Sequence, residues 1–275
     1  MATLNPVTLA AAPNGGRRTK AHHPALPLTA AELVRTAEEC HAAGAAMLHL
    51  HVRDAQGRHQ LDAENYLSVI RSLRKSLGER LLIQITSESV GMYGPEAQIA
   101  VVKAVRPEAV SIAVRELVPD AAHEKAFAEF LGWMRREHVV PQVILYSPDE
   151  AIRFASLRER GLVPWNSLPV LYVLGSYTSE KPSMPADLLP FIAPGMPKFE
   201  SWMVCAFGSN EAACVTTAAL LGGHVRVGFE NNFHRPDGTI APTNAAQIQA
   251  VADILRGSGV SLMDAAALRA AWAAL

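Results

Sequence analysis

Short apolar runs alternate along the chain with longer segments in which apolar residues recur at helical spacing. Eight runs are rich in Val, Ile, Leu and Ala, and they span Val7–Ala12, Ala46–Val52, Leu81–Thr86, Ala109–Ala113, Val139–Leu145, Pro169–Leu174, Phe199–Ala206 and Val225–Phe229. Nine segments have the helical period, and they span Ala30–Ala43, Ala63–Leu77, Pro95–Val105, Ala122–Glu137, Pro148–Arg160, Pro185–Ile192, Asn210–Leu221, Asn244–Leu255 and Ser261–Ala274. Uninterrupted apolar runs of this length are typical of parallel strands that are covered on both faces.

The number and order of these elements predict an α/β fold of the (β/α)8 type, a TIM barrel. An open doubly wound sheet is the alternative, but no Gly-x-Gly-x-x-Gly motif follows the first strand. Thr29 and Glu32 have the spacing of a capping box before the first helix, and glycines follow three helices, at Gly44, Gly161 and Gly222. No linker divides the chain, so we expect one domain over residues 1–275.

Composition and charge narrow the class of protein. Of 275 residues, 49% are hydrophobic and 19% charged, which excludes a disordered or collagen-like chain. The formal net charge of −1 argues against nucleic-acid binding through a broad basic surface. No apolar stretch approaches the roughly 18 residues of a membrane span, and the first residues lack a signal-peptide pattern. With three scattered cysteines and no disulfide framework, we expect a soluble cytoplasmic protein.

The strongest local signal for chemistry is the pair His49 and His51 at the end of the second predicted strand. Residues i and i+2 of a strand point to the same side, so both imidazoles would face the mouth of the barrel. This geometry suits Zn²⁺ or a similar divalent metal. The alternative is a pair of packed or surface histidines without a metal.

A third ligand is expected from the end of the eighth strand, where Glu230 stands. Two His and one Glu would leave a coordination position open, as in catalytic zinc sites. A solvated carboxylate is the alternative for Glu230. Strand alternation places Arg226 on the same side as Glu230, where it would form an internal salt bridge or hold a substrate anion.

Three further groups of polar residues lie next to predicted strand ends. Thr86 and Ser87 follow the third strand and would either hold a substrate carboxylate or cap a helix. A glycine-rich turn with two positive charges follows the first strand and suits an anion; it consists of Asn14, Gly15, Gly16, Arg17 and Arg18. The segment from Phe207 to Asn210 precedes a helix and would either cradle a phosphate or form an ordinary helix cap.

The chain resembles the β-keto acid cleavage enzymes over a span from about Pro13 to Ile248. The segments that carry the resemblance are APNGGRRTKAHHPALPLTAAEL, AGAAMLHLHVRDAQGRH, the VLG of LYVLGSY, and GGHVRVGFENNFHRPDGTIAPTNAAQI. The HLHVRD and GGHVRVGFE blocks are specific when they occur together in this order.

The resemblance implies a TIM barrel in a homo-oligomer, often a tetramer, with Zn²⁺ held by His49, His51 and Glu230. It implies a reaction in which a small β-keto acid and the co-substrate acetyl-CoA give acetoacetate and an acyl-CoA. Arg226 would belong to a charged network beside the metal, Thr86 and Ser87 would hold the substrate carboxylate, and Asn14 and Arg17 are expected to contact the substrate. No nucleic-acid or membrane partner is expected.

Two positions depart from the family pattern. Asn231 stands where the family commonly has the Asp that serves as general base, and an amide cannot accept a proton at neutral pH. Gln142 lies in a fifth-strand segment that lacks the usual acids. Glu88 ranks first as a replacement base, ahead of Asp54 and Glu116.

These losses leave two alternative functions open. One is a CoA-independent, metal-dependent lyase or hydrolase of a small oxo or hydroxy acid. The other is a non-catalytic homologue that has lost its base.

Overall fold

Eight parallel strands form a closed barrel in the computed structural model, which describes residues 4–178 and 181–275. The barrel strands are β1 (Leu9–Ala11), β2 (Met47–Leu50), β5 (Leu82–Thr86), β6 (Ala109–Ala113), β7 (Val140–Leu145), β8 (Val170–Leu174), β9 (Trp202–Ala206) and β10 (His224–Val227). Their order around the barrel is β1-β10-β9-β8-β7-β6-β5-β2. Two short strands, β3 (Val52–Arg53) and β4 (His59–Gln60), form a separate antiparallel pair.

Helices follow the barrel strands and cover the outside of the barrel. They are α1 (Ala30–Ala42), α2 (Ala63–Leu77), α3 (Pro95–Val105), α4 (Val114–Leu117), α5 (Glu124–Arg136), α6 (Pro148–Glu159), α7 (Leu189–Ile192), α8 (Glu211–Leu220), α9 (Asn244–Gly257) and α10 (Ala265–Ala273). Short 3₁₀ turns, Ala121–His123 and Pro185–Leu188, precede α5 and α7. The predicted (β/α)8 fold is confirmed, although α4 was not expected.

Several predicted boundaries were wrong, and each error has a local cause. The second strand ends at Leu50, because Val52 and Arg53 leave the barrel to pair with β4. The eighth barrel strand ends at Val227, because Gly228 has φ +150 and turns the chain. The last helix begins at Ala265, because the preceding residues pair with the chain before β1.

The interior of the barrel changes character along the strands. Its lower layers are apolar and contain small and medium side chains such as Ala10, Met47, Leu82 and Met203. Nearer the carboxyl ends of the strands the interior side chains become polar, with Gln84, Gln142 and Arg226 all buried. Buried polar groups must find partners, and the carboxyl ends of the strands are where TIM barrels carry their active sites.

The predicted helix signals are present. The Thr29 side chain accepts from the backbone of Glu32, and the Glu32 side chain accepts from the backbone N–H of Thr29, which completes the capping box. The three predicted glycines all have positive φ after a helix, at Gly44, Gly161 and Gly222. Among the described residues, no helix is long and apolar enough to cross a bilayer.

We expect the Glu32→Gln substitution to make the protein about 1 kcal/mol less stable at pH 7, since it weakens the capping box. Burial alone would raise the pKa of Glu32, but Lys20 and the N–H groups of Leu28 and Thr29 lower it from 4.5 to about 2. A carboxyl whose pKa is lower in the folded than in the unfolded protein stabilises the folded state at every pH above the unfolded pKa. For Glu32 this stabilisation is lost as the pH falls from about 4.5 towards 2.

Urea denaturation of the wild type and the Glu32→Gln variant between pH 7 and pH 3 measures this effect. The difference in unfolding free energy should shrink below pH 4.5. Glu129→Gln, at an exposed position on α5, is the control and should change little at any pH. A difference that stays constant down to pH 3 would contradict the assignment.

Candidate metal centre and active site

The ends of two barrel strands bring three metal-ligand residues together. His49 lies in β2, His51 follows β2 directly, and Glu230 lies three residues beyond the end of β10. Strand β1 pairs with β2 on one side and with β10 on the other, so the carboxyl ends of β2 and β10 flank the same strand. The three side chains meet there although His51 is not part of the barrel strand.

The geometry of this cluster is compact. The Nε2 atoms of His49 and His51 lie 3.0 Å apart, and each lies 3.5 Å from Oε2 of Glu230. All three side chains are buried. One ligand atom from each lies within 4.8 Å of the others, which suits a single bound metal ion.

The three groups have the protonation states that metal binding requires. Burial lowers the pKa of His49 to about 4 and that of His51 to about 3, so both rings are neutral at pH 7. Burial alone would raise the pKa of Glu230, but the charge of Arg226 outweighs it and holds the pKa well below 4.5. Two neutral imidazoles and one carboxylate therefore face each other.

A chain of hydrogen bonds orients the ring of His49. Its Nδ1 lies 2.7 Å from Oε1 of Gln84, and Nε2 of Gln84 donates to Oε1 of Gln142 at 3.0 Å. Because Oε1 of Gln84 can only accept, Nδ1 of His49 carries the proton and Nε2 has the free lone pair. Gln142 thus acts through Gln84, and it makes no hydrogen bond to Arg226.

The cluster fits a divalent metal. Oε2 of Glu230 and Nδ1 of His51 are buried and make no hydrogen bond to the described residues. An unpartnered buried carboxylate oxygen is costly unless a ligand satisfies it. Two imidazoles and one carboxylate are donors that Zn²⁺ accepts with a coordination position left open, and Fe, Co, Ni or Mn would also accept them.

Arg226 holds the carboxylate of Glu230 in place. Its Nη2 donates to Oε1 of Glu230 at 3.0 Å and lies 3.3 Å from Sγ of Cys205 and 3.4 Å from Oδ1 of Asn231. Nε of Arg226 has no hydrogen-bond partner among the described residues. Arg226 therefore forms an internal ion pair, one of the two roles that the sequence left open, and it also lines the adjacent cavity.

A cavity of about 390 Å³ opens from the cluster to the mouth of the barrel, and we call it the first cavity. Its lining comes from seven strand ends and the loop after β1, and consists of Arg17, His49, Thr86, Glu88, Arg115, Ile144, Tyr146, Val173, Gly175, Ser176, Tyr177, Thr178, Phe207, Arg226 and Glu230. Oε2 of Glu88 lies 3.9 Å from Nδ1 of His51. Burial, with the charges of Glu230 and Glu116, raises the pKa of Glu88 to about 7.

The two hydroxyls predicted to hold the substrate occupy different positions. Thr86 lines the first cavity, and its Oγ1 accepts from the backbone N–H of Glu88 at 3.0 Å. Ser87 does not line the cavity, because its hydroxyl donates to the backbone carbonyl of Ser111 at 3.1 Å. The geometry thus favours Thr86 alone for contact with a substrate.

The loop after β1 lies close to the cluster of His49, His51 and Glu230. Asn14 is buried and donates to the carbonyls of Pro27 and His51, so it positions the backbone of a ligand and does not line the cavity. Gly15 has φ +59, and a Cβ there would lie 2.5 Å from Cγ of Glu230. The glycine is required by this contact. Arg17 is exposed and lines the first cavity.

The structure places the three candidate bases in different surroundings. Asp54 lies outside the cavity lining and pairs with Arg58 in the turn between β3 and β4, with 2.7 Å between the charged atoms. Glu116 accepts from the backbone N–H of Ser89 and also lies outside the lining. Only Glu88 lines the first cavity. Asn231 is fully buried behind Arg226.

Several lining residues were missed by sequence reasoning, namely Arg115, Ile144, Tyr146, Val173, Tyr177 and Thr178. Most lie just beyond or at the ends of strands β6, β7 and β8. Their positions at predicted strand ends were available from the sequence, but no residue type among them marked them out from other loop residues.

We expect Gln84→Met to weaken metal binding by about 10- to 100-fold, because the proton on Nδ1 of His49 loses its acceptor. Competition with a chromophoric chelator measures the affinity. Gln98→Met, at a buried glutamine on α3 away from the cluster, is the matched control and should bind metal as the wild type does. Equal affinities in the wild type and both variants would contradict the orienting role of Gln84.

Comparison with known proteins gives relatives that span nearly the whole chain. The chain is 27% identical over 266 residues to the 3-keto-5-aminohexanoate cleavage enzyme of Fusobacterium nucleatum, covering 93% of each protein. It is 23% identical over 275 residues to the 3-oxoadipate:acetyl-CoA acetyltransferase of Cupriavidus necator, covering 96% of this chain and 94% of that one. Among solved structures, apo ObcA superposes with a TM-score of 0.70 at 17% identity, covering 91% of this chain and 66% of that one, which shows the shared fold.

A sequence model for one family matches almost all of the described barrel. The match extends over residues 6–273 and therefore includes the His49, His51 and Glu230 cluster and every strand of the barrel. The protein belongs to the β-keto acid cleavage enzyme family.

Proposed function

We propose that this protein is a metal-dependent acyltransferase that converts a β-keto acid and acetyl-CoA into acetoacetate and the acyl-CoA of the shortened acid. The observation that carries the proposal is the buried cluster of His49, His51 and Glu230, which opens onto a cavity of about 390 Å³. Membership of the family and the names of both relatives support the same reaction class.

Zinc is the metal that we propose for the cluster of His49, His51 and Glu230. A divalent ion bound there would polarise the oxygens of the keto acid and make the carbon between its two carbonyl groups more acidic. Arg226 keeps Glu230 ionised and fixed, so its role toward the metal is positioning.

The remaining chemistry requires a group that moves one proton. A carboxylate must take a proton from C2 of the keto acid, which lets C2 attack the thioester carbon and release the CoA thiolate. The thiolate then attacks the original ketone, the C–C bond breaks, and the proton returns to the acetoacetate carbon. Atoms and charge balance, because one acetyl group and one acyl group exchange partners.

Glu88 is the residue that we propose as this proton carrier. Its carboxylate lines the first cavity beside His51, whereas Asp54 and Glu116 do not line it. Asn231 cannot take this role, because an amide does not accept a proton at neutral pH. Thr86 and Arg17 also line the cavity, and we propose that they contact the substrate carboxylate.

We also propose a cellular location and an assembly for this protein. The three cysteines are free and buried, which fits a reducing cytoplasm, and we propose that location. We also propose one domain over residues 1–275 and a homo-oligomer, with a tetramer as the state to be tested by sedimentation.

We expect metal-loaded protein to form acetoacetate from at least one β-keto acid only when acetyl-CoA is present. A coupled acetoacetate assay across a panel of β-keto acids, with and without acetyl-CoA, measures this. The double variant His49→Ala, His51→Ala is the control and should be inactive. No acetoacetate across the panel would contradict the proposal, and loss of keto acid without acetyl-CoA would favour the CoA-independent alternative.

Glu88→Gln should lower kcat by about a hundredfold or more, since the amide cannot carry the proton. Metal content measured by atomic absorption should stay at the wild-type value, because Glu88 is not part of the ligand cluster. Glu96→Gln, at an exposed position on α3, serves as control. Full turnover in the Glu88→Gln variant would exclude Glu88 as the base.

A further inference from the structure

A second cavity of about 360 Å³ lies next to the first and shares part of its wall. Ser176, Tyr177 and Phe207 line both cavities. The second cavity is otherwise lined by Arg18, Lys181, Pro182, Gly208, Ser209, Asn231, Asn232, Phe233 and His234. Two segments that the sequence marked as anion sites, the turn after β1 and the Phe207–Asn210 segment, thus meet at one cavity.

The charged groups around both cavities are mainly positive. Four guanidinium groups line them, namely Arg17, Arg18, Arg115 and Arg226, and the ammonium group of Lys181, which is engaged in an interaction of its own, lines the second cavity. Only two carboxylates among the described residues do so, Glu88 and Glu230. Arg226 is neutralised by Glu230, and Arg115 lies 3.8 Å from Glu150. A bound divalent metal would add to the positive excess.

Arg18 is held at the second cavity by two contacts. Its guanidinium carbon lies 4.2 Å from the centre of the Phe233 ring, and its Nη2 donates to the backbone carbonyl of Asn231 at 3.2 Å. No carboxylate of the described residues forms an ion pair with it. The nearest acidic influences are Glu230, which pairs with Arg226, and Glu211, which accepts from Gly228 and Asn232.

Two neutral side chains with unused donors, Asn231 and Tyr177, also line the second cavity. Nδ2 of Asn231 and the hydroxyl of Tyr177 are buried and have no hydrogen-bond partner among the described residues. The ten-residue helix α8 begins at the cavity, and its N-cap residue Asn210 turns its amide to the carbonyl of Ser183 and gives no side-chain cap. One unpaired guanidinium, two unpartnered donors and a helix N-terminus together suit a carboxylate or phosphate group.

We propose that the second cavity binds a distal anionic group of the β-keto acid, so that the substrate class is a β-keto acid with a second carboxylate, and that Arg18 determines this specificity. The inference rests on the proposed function, because it takes the keto end to lie at His49, His51 and Glu230.

Distance favours the keto acid over acetyl-CoA as the source of the anion. Tyr177 contacts both sites. Its hydroxyl lies near Gly15 and Glu230, since a Cβ on Gly15 would be 2.7 Å from that hydroxyl and 2.5 Å from Cγ of Glu230. The guanidinium carbon of Arg18 lies 5.9 Å from the centre of the Tyr177 ring. Because the two cavities share Ser176, Tyr177 and Phe207, the distal carboxylate of a six-carbon diacid is the group that we expect to enter the second cavity. The phosphates of CoA lie at the far end of the pantetheine arm, too far from a thioester that reacts beside the metal. An ammonium group would meet no carboxylate in the second cavity among the described residues.

The test compares 3-oxoadipate with 3-oxohexanoate, which has the same number of carbons and a methyl group in place of the distal carboxylate. We expect the wild type to prefer 3-oxoadipate by tenfold or more in kcat/KM. Arg18→Gln should remove roughly tenfold to a hundredfold of that preference, mainly through KM for 3-oxoadipate. Arg18→Lys should retain part of it, and Arg58→Gln, an exposed residue outside both cavities, should retain all of it.

Calorimetry without acetyl-CoA separates this inference from the reaction itself. Binding of 3-oxoadipate that weakens in the Arg18→Gln variant supports the second cavity even if no turnover is seen. Equal binding by the wild type and that variant overturns the site while the acyl transfer reaction stands. If Arg18→Gln instead raises KM for acetyl-CoA and not for S-acetylpantetheine, the anion belongs to CoA and the proposed substrate class is wrong.

Discussion

The burial of one negative charge organises this end of the barrel. Glu230 sits in a closed environment where an ionised carboxylate is stable only with a partner, and Arg226 supplies that partner at 3.0 Å. The pair is local in sequence, but it fixes a carboxylate oxygen opposite two imidazoles that come from the other side of β1. Removing either partner would leave the other charged and buried, so ligand geometry and barrel packing depend on the same contact.

Sequence reasoning predicted the fold because the barrel strands are apolar on both faces and the helices have a different period. It also predicted which side chains meet, although one of its arguments was wrong. His49 and His51 were placed together by strand alternation, whereas β2 ends at Leu50 and His51 belongs to the following turn. Glu230 likewise lies beyond its strand. The prediction succeeded because His51 is the single residue between β2 and β3, and because the turn at Gly228 brings the backbone N–H of Glu230 to the carbonyl of Ala12.

Contacts that join distant loops could not be predicted from the sequence. Asn14 belongs to a turn whose composition suits an anion, but its side-chain amide instead donates to the backbone carbonyl of His51. Gln142 lies in a segment that lacks the family's usual acids, and it stabilises Gln84 and thereby the ring of His49. In this member of the family Gln84 and Gln142 are neutral, and among the described residues Glu230 is the carboxylate that pairs with Arg226.

Gly228, which follows the last barrel strand, lies so close to the end of the first strand that a side chain at this position would not fit. A Cβ there would lie 2.3 Å from the backbone oxygen of Ala12, where the chain has closed the ring. His51 and Glu230 stand about 180 residues apart in sequence, so their meeting requires that closure. During synthesis on the ribosome, the emerging chain holds a two-histidine pair for most of its length and gains the carboxylate only near the end. Tight capture of the proposed metal would therefore require a chain that is synthesised past Glu230 and folded, because only that chain offers all three side chains together.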